Sequence, residues 1–228
     1  MTERPYVLLS AAMSADGYID DASGTRLVLS DEADLDRVDE LRASSDAILV
    51  GAQTIRSDNP RLLVRSAGRR QRLLELGRAA TPRRVTITCS GALEPQARFF
   101  APAADRPLVY TDPAVASDLA ARLGSAAVVV AGPADRAAAG TDRLDLHWIL
   151  ADLVSRGVGR LLVEGGAHLL AQFLSAGLAD EFLLAIAPML VADARAPRLL
   201  ADGRQAGRMT LAGVAMAGDM AVLHYLLS

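Results

Sequence analysis

The run Leu161-Leu162-Val163-Glu164-Gly165-Gly166-Ala167-His168-Leu169 holds the residue types best suited to chemistry. Its three apolar residues read as a short buried strand. A carboxylate, Glu164, stands at the carboxyl end of that strand. Two glycines then turn the chain into a segment with Leu169, Leu170, Phe173 and Leu174 at helical spacing. A strand, a glycine turn and a helix start leave backbone N–H groups unpaired and aim the positive end of the helix dipole at one place. Such a place receives an anion, and glycine lets a phosphate approach the backbone. Glu164 would repel a phosphate lying on top of it, so it is expected to face a neighbouring substrate. The same residues also suit a plain strand-to-helix turn with a helix-start carboxylate.

Three further groups are candidates. Asp16 lies in Ser14-Ala15-Asp16-Gly17, just after the apolar run Tyr6–Ala12. Asp-Gly is ordinary turn chemistry, yet a carboxylate at a strand end of an α/β protein is also where sites are built. Thr54 and Asp58 are four apart on a short helix that Pro60 stops, so they share one face; a polar solvent face would look the same. Between Arg61 and Pro82 stand Arg61, Arg65, Arg69, Arg70, Arg72 and Arg78. Guanidinium groups can clamp a phosphate bidentately, or sit in a solvated loop.

Composition removes other chemistries. The chain has 228 residues, 51% of them hydrophobic, and a formal charge of −3, which argues for a sizeable core and against nucleic acid as partner. It contains no lysine, which excludes a Walker A loop and Schiff-base or pyridoxal-phosphate catalysis. With one cysteine, Cys89, and three scattered histidines, neither an internal disulfide nor a zinc site of the usual ligand types is expected. The apolar runs are short, and Met1-Thr2-Glu3-Arg4-Pro5 leads straight into a strand, so neither a membrane helix nor a signal peptide is expected and the cytoplasm is the default compartment.

The elements that must position these residues follow in order. Strands are expected at Tyr6–Ala12, 46–51, Arg84–Thr88, Leu108–Thr111, Ala126–Ala131, 161–163 and Asp180–Pro188. Helices are expected from an N-cap at Ser30 to about Ala43, at 52–59, Pro113–Leu123, Leu144–Arg156 and from Ala167, with a helical turn at Gln71–Leu76 in an otherwise looped stretch. Met209–Ala217 and Met220–Leu227 around Gly218-Asp219 read as a hairpin with a glycine-first turn. Strands alternating with helices, then a late hairpin, predict a three-layer α/β fold: a mainly parallel sheet with an antiparallel C-terminal hairpin. A single domain over residues 1–228 is the expected count.

Three ordered motifs resemble one family. They are Met13-Ser14-Ala15-Asp16-Gly17; the stretch Asp46-Ala47-Ile48-Leu49-Val50-Gly51-Ala52-Gln53-Thr54 continuing to Asp58-Asn59-Pro60-Arg61-Leu62; and Val163-Glu164-Gly165-Gly166 with Asp180-Glu181 and Ala187-Pro188 downstream. Over about Pro5–Leu226 they resemble the reductase domain of riboflavin biosynthesis, whose fold is dihydrofolate-reductase-like. The resemblance implies an NADPH-dependent, usually dimeric reductase. Its substrate would be a ribosylamino-pyrimidine 5′-phosphate, with hydride going to ribose C1′ of the opened imine form. It implies cofactor contacts at Ala12, Thr54, Asp58, Ser90, Gly165, Gly166, Ala167, His168 and Leu169, with Ser90 at the 2′-phosphate. It implies substrate contacts at Arg42, Leu62, Arg65 and Glu164; Glu164 and Asp16 are the candidates for the chemistry. The zinc deaminase motifs of the bifunctional members are absent from the sequence, so a stand-alone version is expected. Ser10 stands where bifunctional bacterial members often have lysine, and Val28 near a frequent tryptophan. Another heterocycle, such as a dihydrofolate or a pterin, is therefore a second reading, and a nucleotide-binding protein without catalysis a third.

Overall fold

The computed structural model describes residues 3–23, 27–133, 144–200 and 207–227. Among the described residues nine strands form one sheet: β1 (Tyr6–Ser14), β2 (Ala47–Gly51), β3 (Arg83–Thr88), β4 (Leu108–Thr111), β5 (Val128–Ala131), β6 (Arg160–Gly165), β7 (Glu181–Ala187), β8 (Thr210–Ala217) and β9 (Met220–Leu226). Their spatial order is β5-β4-β3-β2-β6-β1-β7-β9-β8. Every pairing from β5 to β7 is parallel; β9 then runs antiparallel to both β7 and β8. Among the described residues the α-helices are α1 (Glu32–Ala43), α2 (Ala52–Asp58), α3 (Ala67–Glu75), α4 (Pro113–Leu123), α5 (Leu146–Ser155) and α6 (Ala167–Ser175).

Pleating explains the three layers. Successive strand side chains point to opposite faces. Val7, Leu9, Leu49, Leu161 and Val163 pack with Ile149, Leu150, Leu153, Leu170 and Phe173 of α5 and α6 on one side. Leu8, Ile48, Val50 and Leu162 pack with Ile55 of α2 and Leu119 and Leu123 of α4 on the other. Strands buried on both faces must be apolar throughout, which is why 161–163 and 47–50 carry no polar residue.

Several boundaries differ from expectation. The cap of α1 is Asp31, whose side chain accepts from Asp34 N at 2.8 Å, one residue beyond Ser30. The Arg-rich stretch holds a full helix, α3, capped by Ser66. It forms because α1 offers carboxylates: Arg69 reaches Asp36, Asp39 and Glu40, and Arg72 reaches Glu40. Those arginines tie two helices together. The hairpin turns at Gly218, with φ +59° as a glycine-first turn requires, and Asp219 N donates to Asp31 Oδ2 at 3.0 Å.

Candidate active site

The carboxyl ends of β1, β6, β2 and β3 lie along one edge of the sheet, where an open α/β sheet places its ligands. β6 enters between β1 and β2, and its register against β2 slips there: Leu49 faces Val163, but Val50 faces Gly165. Glu164 is the extra residue, a bulge of the kind that re-aims a side chain beside a site. Its carboxylate meets Arg42 in the last turn of α1. Nε donates to Oε1 at 2.7 Å and Nη2 to Oε2 at 2.6 Å, and Nη1 reaches Leu63 O at 3.3 Å. The two side chains are 17% and 10% exposed.

Beyond Glu164 the chain turns sharply. Gly165 has φ +124°, and Gly166 is the N-cap of α6; the peptide between them is cis. No side chain caps α6, so the first amides of the helix are left for a ligand. A Cβ on Gly166 would stand 3.1 Å from Thr54 Oγ1. The glycine turn and the start of α2 therefore approach so closely that a side chain at 166 would require Thr54 to give way by a few tenths of an ångström.

These elements enclose a cleft of about 1080 Å³. Ala12, Thr54, Asp58, Ser90, Glu164, Gly165, Gly166, Ala167, His168 and Leu169 all line it. Four of the sequence candidates do not. Leu62 is 4% exposed and packs in the core against α2 and α4, so its side chain is not offered to a substrate. Arg65 points to solvent, while its backbone N, with that of Ser66, is held by Asp39. Arg42 sits behind Glu164 rather than in the cleft, and the carboxylate already supplies the anion its burial requires. Asp16 accepts from Ser14 Oγ at 2.6 Å, Ala192 N at 2.8 Å and Val191 N at 3.1 Å. Those bonds, the Ser14 hydroxyl foremost, hold its carboxyl down at about 2. Asp16 fastens one loop to another.

Arg83 and Arg84, adjacent in sequence to the Ser90 strand, also stand elsewhere. They open β3 and Ser90 follows its end, so the strand's length separates them. Arg84 is buried and donates to Phe99 O and Ala101 O, while Arg83 pairs with Asp105 at 3.2 Å. The cation that borders the cleft near Ser90 is Arg56 of α2.

Other lining residues were outside the sequence candidates. Asp20 lines the cleft, its Oδ1 accepting from Asp21 N at 2.9 Å and Leu27 N at 2.8 Å. The Asp-Gly turn drew notice to Asp16, whereas the residue four further on reaches the cleft. Pro197 and Leu199 close the far side, brought there because Ile19 N donates to Pro197 O and Leu199 N to Gly17 O. No local pattern announces that pairing, since it joins segments 180 residues apart in the Tyr18–Arg198 bridge.

The doubly covered parallel sheet, its antiparallel edge and a glycine-walled cleft at the carboxyl edge define a mixed α/β enzyme fold of the dihydrofolate-reductase-like type. The profile of the RibD C-terminal domain matches residues 5–223, and the chain belongs to that family. It is 38% identical over 200 residues to a 2,5-diamino-6-ribosylamino-4(3H)-pyrimidinone 5′-phosphate reductase of Methanothermobacter thermautotrophicus, covering 88% of this chain and 85% of the relative. It is 36% identical over 194 residues to the protein of the same name from Archaeoglobus fulgidus, covering 85% of each. Among solved structures, Acinetobacter baumannii RibD, form 1, superposes with a TM-score of 0.79 at 25% identity, over 100% of this chain and 59% of that one. The chain thus spans about three-fifths of that larger protein.

Proposed function

We propose that this protein reduces the ribosylamino group of a pyrimidine 5′-phosphate with NADPH, in riboflavin biosynthesis. One observation carries the reading: an uncapped helix start built on Gly166 and a bulged carboxylate, Glu164, open into the same cleft. The first suits a pyrophosphate; the second suits the hydroxyl and N–H donors of a sugar-pyrimidine. The relatives from M. thermautotrophicus and A. fulgidus are named for this reaction.

When bound, the cofactor would supply the hydride that reduces the ribosylamino carbon, and a proton from water would complete the ribitylamino product. The protein's part is to bind and orient. Gly165 to Leu169 and Thr54 would hold the pyrophosphate, Asp58 and Ala12 would border the cofactor, and Ser90 would stand at the adenosine end. Arg42 holds the Glu164 carboxylate in one orientation as an acceptor for the substrate. Asp16 keeps its loop in place and takes no direct part.

We also propose a homodimer formed through β8 and action in the cytoplasm, whose reducing poise suits the exposed thiol of Cys89. The test of the reaction is loss of reduced-cofactor absorbance with 2,5-diamino-6-ribosylamino-4(3H)-pyrimidinone 5′-phosphate, with its dephosphorylated form, and with dihydrofolate. Turnover confined to the phosphorylated pyrimidine is expected. Turnover of dihydrofolate alone would move the assignment to the other heterocycle, and binding without turnover would leave a nucleotide-binding protein.

A further inference from the structure

We infer that Arg56 is the residue by which this cleft distinguishes a phosphorylated adenosine ribose from an unphosphorylated one. The inference rests on the reading of the cleft as a nicotinamide-dinucleotide site. The position follows from the wall that α2 makes. Thr54 faces the glycine turn at the end of β6, as the 3.1 Å approach to Gly166 requires. Gln53 and Arg56, three apart, share a different stripe of the same helix. That stripe points to the turn after β3, where Arg56 Nη1 donates to Ala92 O at 3.0 Å. β6 and β3 are separated by β2 alone, so the two turns stand about two strand spacings, about 10 Å, apart. A pyrophosphate on the first turn places the attached adenosine ribose toward the second, which Thr88, Cys89 and Ser90 contribute to the cleft.

The charge state of that corner favours an anion. Arg56 donates to neutral oxygens: Ala92 O, and Gln53 Oε1 at 2.7 and 3.2 Å. Among the described residues no carboxylate lies within 4.0 Å of its guanidinium. Every arginine that ties α3 to α1 or flanks β3 at Arg83 has, by contrast, a carboxylate partner or a buried carbonyl cage. From the other side Arg122 of α4 donates to Gly91 O, so two guanidinium groups from different helices bracket the turn. The carbonyls of Gly91 and Ala92 are thereby engaged, and the Ser90 oxygen accepts from Ala92 N at 3.3 Å, leaving the Ser90 hydroxyl proton and the Arg56 charge for the ligand. A dianionic phosphate at this position gains charge-assisted bonds that a ribose hydroxyl does not. The two arms that hold Arg56 keep its planar group in one orientation before the ligand arrives, which lowers the ordering cost of binding.

The experiment is calorimetry on the full chain at fixed salt, with 2′,5′-ADP and 5′-AMP as probes and NADPH and NADH as full cofactors. The wild type is expected to bind 2′,5′-ADP at least tenfold more tightly than 5′-AMP. Arg56→Gln should bring that ratio to within about threefold of unity. Arg56→Lys, which keeps the charge but not the fork, should recover part of it, and Gln53→Ala, which keeps the arginine, should retain most of it. An Arg56→Gln variant that binds NADH but keeps the wild-type ratio overturns the inference while leaving the dinucleotide reading intact. A wild type that binds neither dinucleotide fails at the earlier step. If Arg56→Gln does not fold, the Arg56→Lys ratio decides: an undiminished preference with a single-point ammonium overturns the forked assignment.

Discussion

Arg42 and Glu164 meet as a forked pair across the joint between α1 and β6, with Nε–Oε1 2.7 Å and Nη2–Oε2 2.6 Å. Neither side chain is far from fully buried. Removing one partner of such a pair strands a charge, at a cost of about 3–5 kcal/mol, whereas removing both together costs much less. Arg42→Met is therefore expected to lower unfolding free energy by about 3 kcal/mol in denaturant titrations. Arg42→Met with Glu164→Leu should recover most of that. Strict additivity of the two single changes would show that the pair is not coupled. Glu164→Gln keeps the shape and removes the charge. Turnover should fall on the order of 100-fold, as for loss of one oriented electrostatic group, while NADPH affinity holds.

Asp16 makes the stability of the loop region acid-sensitive. Its folded carboxyl is held down at about 2, chiefly by the Ser14 hydroxyl and also by the amides of Ala192 and Val191. A depressed carboxyl contributes stability that is fully present above its unfolded value of about 4 and is lost as pH falls through the folded value. Melting of the wild type should thus drop between about pH 4 and pH 2 more steeply than melting of Asp16→Asn. Parallel curves for the two proteins over that window would rule this out. At neutral pH Asp16→Asn should retain hydride transfer within about tenfold, because its carboxylate lies outside the cleft lining.

Gly166 separates fold from binding. Its φ of −75° is open to any residue, so alanine there carries no backbone penalty. The added Cβ would stand 3.1 Å from Thr54 Oγ1, in the gap between the glycine turn and α2. Gly166→Ala is expected to melt within a few degrees of the wild type yet bind NADPH at least tenfold more weakly. Adding Thr54→Ala should relieve the contact but not the loss of affinity, because the Thr54 hydroxyl is lost with it. Wild-type affinity in Gly166→Ala, measured by fluorescence quenching of the reduced cofactor, would remove the glycine turn from the cofactor site.

The sheet and the cleft's floor were legible because their signals are local. Apolar runs at 47–50 and 161–163 mark strands buried on both faces. The glycine turn after Glu164 gives the helix start, and Thr54 and Asp58 sit where helical spacing puts them. The residues whose side chains lie off the cleft lining have partners distant in sequence. Arg42 looks like a spare cation until β6 brings Glu164 to it from 122 residues away. Arg84 looks close to Ser90 in sequence, but a strand carries it to the opposite edge of the sheet. Asp16 outranked Asp20 because Asp-Gly is conspicuous, while what decides between them is whether loop amides at 191 and 192 arrive to occupy the carboxylate. The arginines of the 61–82 stretch have the chemistry to bind phosphate, and it is the acidic face of α1 that takes them first.

The outer strand, β8, gives the last prediction. It ends the sheet, and an edge strand presents a row of unpaired N–H and C=O groups. Its side chains do not discourage pairing: Leu211, Val214 and Met216 are 54%, 63% and 68% exposed, and the strand carries no charge between Thr210 and Ala217. The register against β9 slips at Ala212, which puts Leu211 on one face with Val214 and Met216, so these three form an apolar strip on the outermost strand. A soluble monomer rarely leaves such a strip uncovered, and a second copy meeting it through a two-fold axis buries both strips at once. The wild type should therefore run as a dimer in light scattering at micromolar concentration. Val214→Lys with Met216→Glu should run as a monomer, since each buried charge without a partner costs several kcal/mol at the interface and costs nothing comparable in the exposed strand. The double variant should remain folded, because neither side chain belongs to the buried core. A monomeric wild type, or a double variant that stays dimeric, would exclude β8 as the joining surface.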